Sequence, residues 1–263
     1  MILQVLAVLF AICMQGLFAS SFDKTPARIA RSLANLTLSL GPISNNTNEG
    51  SLIRLNRRNA TMVQKWVNLL NHFLKDYTAD NTRNLVVCNF GTPPPEGKAC
   101  DVDMANFNGC STINDFNYNA SSPCVYLRLN RIYGWVPEYY NDTNNLPSDM
   151  PSDLVTHIKA EQFYNSARAN QIWVSCTGKH PIDQEHVNAS NFEYFPTRGF
   201  PAYFYPATSV DGYLSPLIAV KLNGLTPNVI ISIECRAWAK NIKYHGEYGN
   251  REGLAHFEIL IDA

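Results

Sequence analysis

Charge is what this sequence has little of. Only 16% of its 263 residues are Asp, Glu, Lys or Arg, and the net charge is −1. An average soluble domain carries roughly 25%. Nothing here resembles the basic face that neutralises phosphates, so nucleic acid is not expected as a partner. Catalytic signatures are missing as well. There is no G-x-S-x-G, no glycine-rich loop before a helix, no C-x-x-C, and no His pair beside the cysteines. Carboxylates are scattered; Asp101 and Asp103 form a "DVD" that sits between two cysteines in a loop. Cys176 with His180, and Cys235 with His245, come nearest to a thiol beside a base. A cysteine on the apolar face of a strand is a poor place for a reactive thiolate. No catalytic, cofactor-binding or metal-binding residue is therefore expected, and no cofactor.

Charge is absent altogether from the first 22 residues, "MILQVLAVLFAICMQGLFASSF". At 1.5 Å per residue a helix of that length spans ~33 Å, enough for a bilayer core. The run reads as a membrane anchor or as a signal peptide cut near Ala19-Ser20-Ser21. Either way the remainder enters the secretory lumen. Six N-x-[ST] sequons fit that route: Asn35, Asn45, Asn59, Asn119, Asn141 and Asn188. So does the cysteine count. Besides Cys13 in the leader there are Cys88, Cys100, Cys110, Cys124, Cys176 and Cys235, an even set that in an oxidising compartment implies disulfides.

Hydrophobic periodicity predicts a mostly β chain with one strong helix. In "ISIECRAWAKNIKY" (231–244), Ile231, Ile233, Cys235, Ala237 and Ala239 alternate with polar neighbours and with Trp238, the period of a half-buried strand. Residues 171–177 place Ile172, Val174 and Cys176 on one face in the same way. Further strands are expected over 124–136, 213–222, 228–240 and 254–261. Residues 61–77 carry apolar residues at spacings of three and four, with Thr61 and Gln64 as a capping box, and this helix should cover the open face of a sheet. Residues 137–170 are ambiguous, and 192–206 are aromatic and broken by proline. The expected organisation is an apolar segment 1–22, an irregular juxtamembrane stretch 23–58, and a disulfide-bonded, glycosylated ectodomain 59–263.

Six cysteines allow about 15 connectivities. The economical choice is sequential: Cys88–Cys100 and Cys110–Cys124 each close a short loop. Cys176 and Cys235, both inward on separate strands, can meet across a β-sandwich as in immunoglobulin domains.

Several ordered motifs then carry a family resemblance. They include Tyr213, Leu214, Pro216, Leu217, Ala219 and Val220; Ile233, Glu234, Cys235 and Ala237; and Asn241, Ile242 and Tyr244. "VSCTGK" (174–179) and the block Pro123, Cys124, Leu129, Asn130, Arg131, Gly134 and Pro137 complete the pattern. Over about residues 50–263 the chain resembles the β subunits of the sodium/potassium ATPase and the related proton pump. The resemblance implies the same three sequential disulfides and an immunoglobulin-like β-sandwich ectodomain with a helix laid on it. It also implies a type II membrane glycoprotein at the plasma membrane, its ectodomain extracellular and without catalysis of its own. The implied partner is a catalytic α subunit, whose folding, delivery and potassium affinity it supports. Membrane lipid is a second partner if the N-terminal segment stays uncleaved. The resemblance departs at the N-terminus, where the family's cytoplasmic tail has no counterpart and the aromatics are only Phe10, Phe18 and Phe22. That departure motivates the alternative, a secreted adhesion or recognition protein independent of the pump.

Overall fold

A computed structural model describes residues 36–43, 50–78, 84–244 and 252–263. The apolar segment 1–22, His245 and the sequons Asn35 and Asn45 lie outside these residues. No helix among the described residues is long and apolar enough to cross a membrane.

The described chain is mostly β, in two principal sheets. One has the order β1 (Leu38–Gly41), β5 (Cys124–Leu129), β9 (Leu217–Leu222), β7 (Phe192–Phe195) and is antiparallel throughout. The other runs β2 (Leu52–Leu55), β11 (Leu254–Ile261), β10 (Ile230–Trp238), β6 (Gln171–Gly178), β8 (Gly199–Pro201), with only β2 parallel to its neighbour. A small parallel pair, β3 (Leu85–Val86) and β4 (Ala99–Cys100), stands apart. Val125, Leu127, Ile218 and Val220 of the first sheet share one hydrophobic cluster with Ile231, Ile233, Phe257 and Ile259 of the second. Two sheets around one core are consistent with a β-sandwich.

Two of the strands, β1 and β2, come from the stretch 23–58 that the sequence presents as irregular. They are only four residues each, too short for periodicity to register. Both are edge strands, and the helix α1 (Ala60–Phe73) ties them together. The Trp66 indole N–H donates to the Arg54 carbonyl of β2 at 2.7 Å. Phe73 packs so closely on Gly41 of β1 that a Cβ there would lie 2.6 Å from the ring. The Arg128 guanidinium of β5 lies over that same ring, 4.8 Å from its centre. Amphipathicity thus brought Val63, Trp66, Val67 and Leu70 inside, but against strand edges as much as a sheet face.

The start of α1 corrects the expected capping box. Asn59, not Thr61, is the N-cap, its side chain accepting from the Met62 N–H at 3.1 Å. Asn is an equally good cap, and the helix begins two residues earlier than its apolar pattern. It also ends sooner, at Phe73, with Tyr77 carried by a following turn, Lys75–Tyr77.

The cystine of β6 and β10 is a second correction. Cys176 and Cys235 are bonded, but they are directly paired residues on adjacent antiparallel strands, with Cα atoms 4.0 Å apart. The bond lies within one sheet and does not span the sandwich. Alternation placed both sulfurs inward, which holds equally for neighbours in one sheet and for residues on facing sheets.

A third concerns the opposite face of that sheet. Trp238, expected on the polar side of its strand, is buried with Trp173 beneath a second helix, α2 (Ser152–Tyr164), formed in the ambiguous stretch 137–170. Leu154 and Ile158 of α2 are fully buried there, and the Trp238 indole donates to Ser175 Oγ at 2.8 Å. The expected packed helix is therefore joined, among the described residues, by a second long one.

Candidate partner and glycan surface

The residues that came closest to chemistry are absorbed by structure. Cys176 and Cys235 are half of a cystine each, as are Cys88 with Cys100 and Cys110 with Cys124. None of the six is a thiol. The His180 backbone N–H donates to Asp183 Oδ2 at 2.9 Å, and Asp183 Oδ1 accepts from the Ser232 N–H at 2.9 Å. That buried carboxylate therefore staples the turn Pro181–Gln184 to β10. Asp103 caps the turn Met104–Phe107 by accepting from the Ala105 N–H at 2.9 Å. Among the described residues no three His, Cys, Asp or Glu side chains gather as a metal site would require.

Tyrosines do the corresponding work in the interior. The Tyr77 hydroxyl donates to the Ser215 carbonyl at 2.8 Å, Tyr213 to Phe204 at 3.0 Å, and Tyr118 to Cys124 at 3.2 Å. Tyr126 donates to the Cys110 carbonyl while packing on Phe107 and Phe116. The cysteine-dense loop is thereby drawn onto β5. Burial pushes the hydroxyls of Tyr139 and Tyr213 up to about 12, with Arg131 opposing the shift at Tyr213. These groups stay protonated and hold loops in place; they are poor proton-transfer groups near neutrality.

The four described sequons, Asn59, Asn119, Asn141 and Asn188, are all exposed. In Asn59 and Asn188 the carbonyl oxygen of the side chain is engaged as a cap, Asn188 accepting from the Ser190 N–H at 2.9 Å and from its hydroxyl at 2.6 Å. The amide nitrogen, which is the atom that carries sugar, faces no such demand. Asn119 Nδ2 donates to Asp115 at 3.2 Å. Asn141 is held twice: its Nδ2 donates to Asn170 Oδ1 at 2.8 Å, and its backbone carbonyl accepts from Gln162 Nε2 at 3.0 Å.

Asn170 also lines a groove of about 500 Å³ between the proline turn Pro93–Pro95 and the aromatic run Tyr203–Tyr205. Phe90 and Tyr203 meet edge to face in its wall, ring centres 5.3 Å apart.

The comparisons with known proteins bear on the whole chain. A family model described as the sodium/potassium ATPase beta chain matches residues 1–257. The chain belongs to the sodium/potassium ATPase β-chain family. Sodium/potassium-transporting ATPase subunit beta-2 of Drosophila melanogaster is 41% identical over 98% of this chain and 81% of its own length. Subunit beta-1 of the same fly is 39% identical over 98% and 82%. Human subunit beta-2 is 28% identical over the same shares.

Within this β-chain frame, the sequence had offered two kinds of candidate residue, the cysteines, which are mostly buried, and the exposed sequons. It did not reveal the groove. Its walls come from residues 89–100, 167–170 and 202–213, which no local spacing connects. The one available signal was composition, the triple proline and the Tyr-Phe-Tyr run at 203–205.

Proposed function

We propose that this chain is the noncatalytic β subunit of a sodium/potassium-exchanging P-type ATPase. In this reading the first 22 residues anchor it in the membrane and the rest projects from the cell surface as an immunoglobulin-like, glycosylated ectodomain. Sugars are carried at Asn35, Asn45, Asn59, Asn119, Asn141 and Asn188. The partner is a catalytic α subunit. Binding the folded α subunit in preference to its unfolded chain stabilises it by mass action, which supports its folding and delivery. A difference in affinity between the pump's conformational states shifts its cation affinity.

The observation that carries this reading is the family match over residues 1–257 together with 41% identity to a named β subunit across 98% of the chain. The test is co-expression of the full chain with a sodium/potassium ATPase α subunit in cells depleted of their own β subunits. The α subunit should co-purify in mild detergent, reach the plasma membrane and show a potassium activation curve that depends on this chain. Equal surface α subunit with and without the chain, and no co-purification, would overturn it. Recovery of the chain from the medium, cleaved near Ser21, would favour the pump-independent adhesion protein instead.

A further inference from the structure

We infer that the groove beside Asn170 is the seat of the protein's own N-linked sugar: the first N-acetylglucosamine residues on Asn141 lie in it, stacked on its aromatic wall. The inference rests on the lumenal reading given above and adds a specific site and ligand to it.

Three observations point the same way. The first is position. Asn141 Nδ2 sits 2.8 Å from Asn170 Oδ1, and Asn170 is part of the groove's rim. The second is orientation. Attachment forms a bond from Nδ2 to C1 of the first sugar. It breaks the C1–O bond to a lipid diphosphate donor and releases one amide proton. Nδ2 keeps its other hydrogen, and with that hydrogen directed at Asn170 the bond persists and sets the direction in which the sugar leaves. The Gln162 bond to the Asn141 carbonyl fixes the backbone at the same point. The sugar thus starts from a held position, which lowers the entropy lost when it settles on a neighbouring surface.

The third is chemistry. The groove measures about 500 Å³, within the ~300–1,000 Å³ that suits a small ligand. Phe90 and Tyr203 offer ring surfaces to the C–H face of a pyranose, while Asn170 supplies an amide to its polar edge. Just beyond Gln162, Phe163 and Tyr164 at the end of α2 are 88% and 79% exposed, with ring centres 5.9 Å apart. Two adjacent exposed aromatics next to a held sequon are a further apolar surface that a sugar can shade from water.

Asn188 is the internal comparison. It is exposed and caps its own turn, and neither it nor its hydrogen-bond partners Ser190 and Asn191 line the groove that Asn141 reaches through Asn170. The experiment is native deglycosylation of the full chain, purified with its α subunit from a glycosylating host. Peptide-N-glycosidase releases the sugars and peptide mass spectrometry follows each site. Release at Asn141 should be about tenfold slower than at Asn188, the factor that ~1.4 kcal/mol of seating gives. The exposed double variant Phe163→Ala/Tyr164→Ala, and separately Phe90→Ala, should bring Asn141 toward the Asn188 rate. Denatured protein should release both sites equally. Sugar on Asn188 with none on Asn141 would overturn the seat and leave the lumenal reading standing. So would equal native release rates, or a slow rate that Phe90→Ala, the variant in the groove wall, leaves unmoved. Sugar on neither site would remove the lumenal premise itself.

Discussion

Single hydroxyls in this interior differ in what they are worth, and the difference is testable. Tyr77 donates to Ser215 across 138 residues of sequence. Tyr77→Phe leaves that carbonyl unpaired and should cost about 1 kcal/mol. The Tyr205 hydroxyl is buried with no hydrogen-bond partner. Tyr205→Phe removes a desolvated polar group that gains nothing, so it should leave stability unchanged or raise it slightly. The urea unfolding midpoint should fall for Tyr77→Phe and hold or rise for Tyr205→Phe. A residue-scale pH effect belongs to His157. It lies edge-on to Trp173, ring centres 5.7 Å apart, and its pKa is lowered from 6.5 by burial and then by Arg198, with a further lowering from Arg168 opposed by Glu161 and Asp153. The unfolded chain therefore binds this proton more readily than the folded one. Stability is complete above the unfolded pKa and falls as pH drops below 6.5 toward the depressed folded value. His157→Gln should flatten stability over that window, measured as Tm against pH.

At the scale of elements, the two helices are held by different means. The first turn of α1 depends on Asn59, whose removal in Asn59→Ala should destabilise by about 1 kcal/mol. Because Asn59 is also a sequon, Thr61→Ala is the control: it abolishes the sequon and keeps the cap. A loss seen only in Asn59→Ala assigns the effect to capping, and one shared by both assigns it to sugar. α2 depends on packing. Ile158 is fully buried against a cluster containing Trp173 and Trp238. Ile158→Ala should cost about 2–5 kcal/mol and shift tryptophan emission toward the red as water reaches the rings. Retention of both native stability and native emission would mean that α2 does not cover that face in solution.

At the scale of the molecule, the three cystines close loops of unequal length. Cys176 and Cys235 are 59 residues apart, against 12 and 14 for the other pairs. In the chain-entropy model the long bridge is worth about 4 kcal/mol and each short one about 3. Replacing Cys176 and Cys235 together by Ala should thus lower the unfolding midpoint more than replacing either other pair. The same experiment reports on assembly. On the proposed pairing, an α subunit that binds the folded chain stabilises it by mass action, so co-expression with α should recover part of the lost yield. No recovery would argue against coupling between ectodomain folding and partner binding.

The sequence by itself determined the strands that alternate over many residues, β6, β10 and β11, and the amphipathic α1. In β10, β11 and α1 the buried set repeats at the period of the backbone, so a one-dimensional string carries the signal; β6 has the alternating inward set but is buried on both faces, its second face being covered by α2. It also held the family motifs, which are local strings. Tertiary structure decided which inward residues meet. Cys176 and Cys235 are neighbours within one sheet because β6 pairs with β10, a fact that alternation does not encode. It decided that Trp238 is buried, because α2 happens to lie over the outer face of that sheet. It made strands of Leu38–Gly41 and Leu52–Leu55, whose four residues each are too few to show a period. And it assembled the groove by Asn141 from three segments distant in sequence, since a concave surface is a property of contacts between segments and not of any one of them.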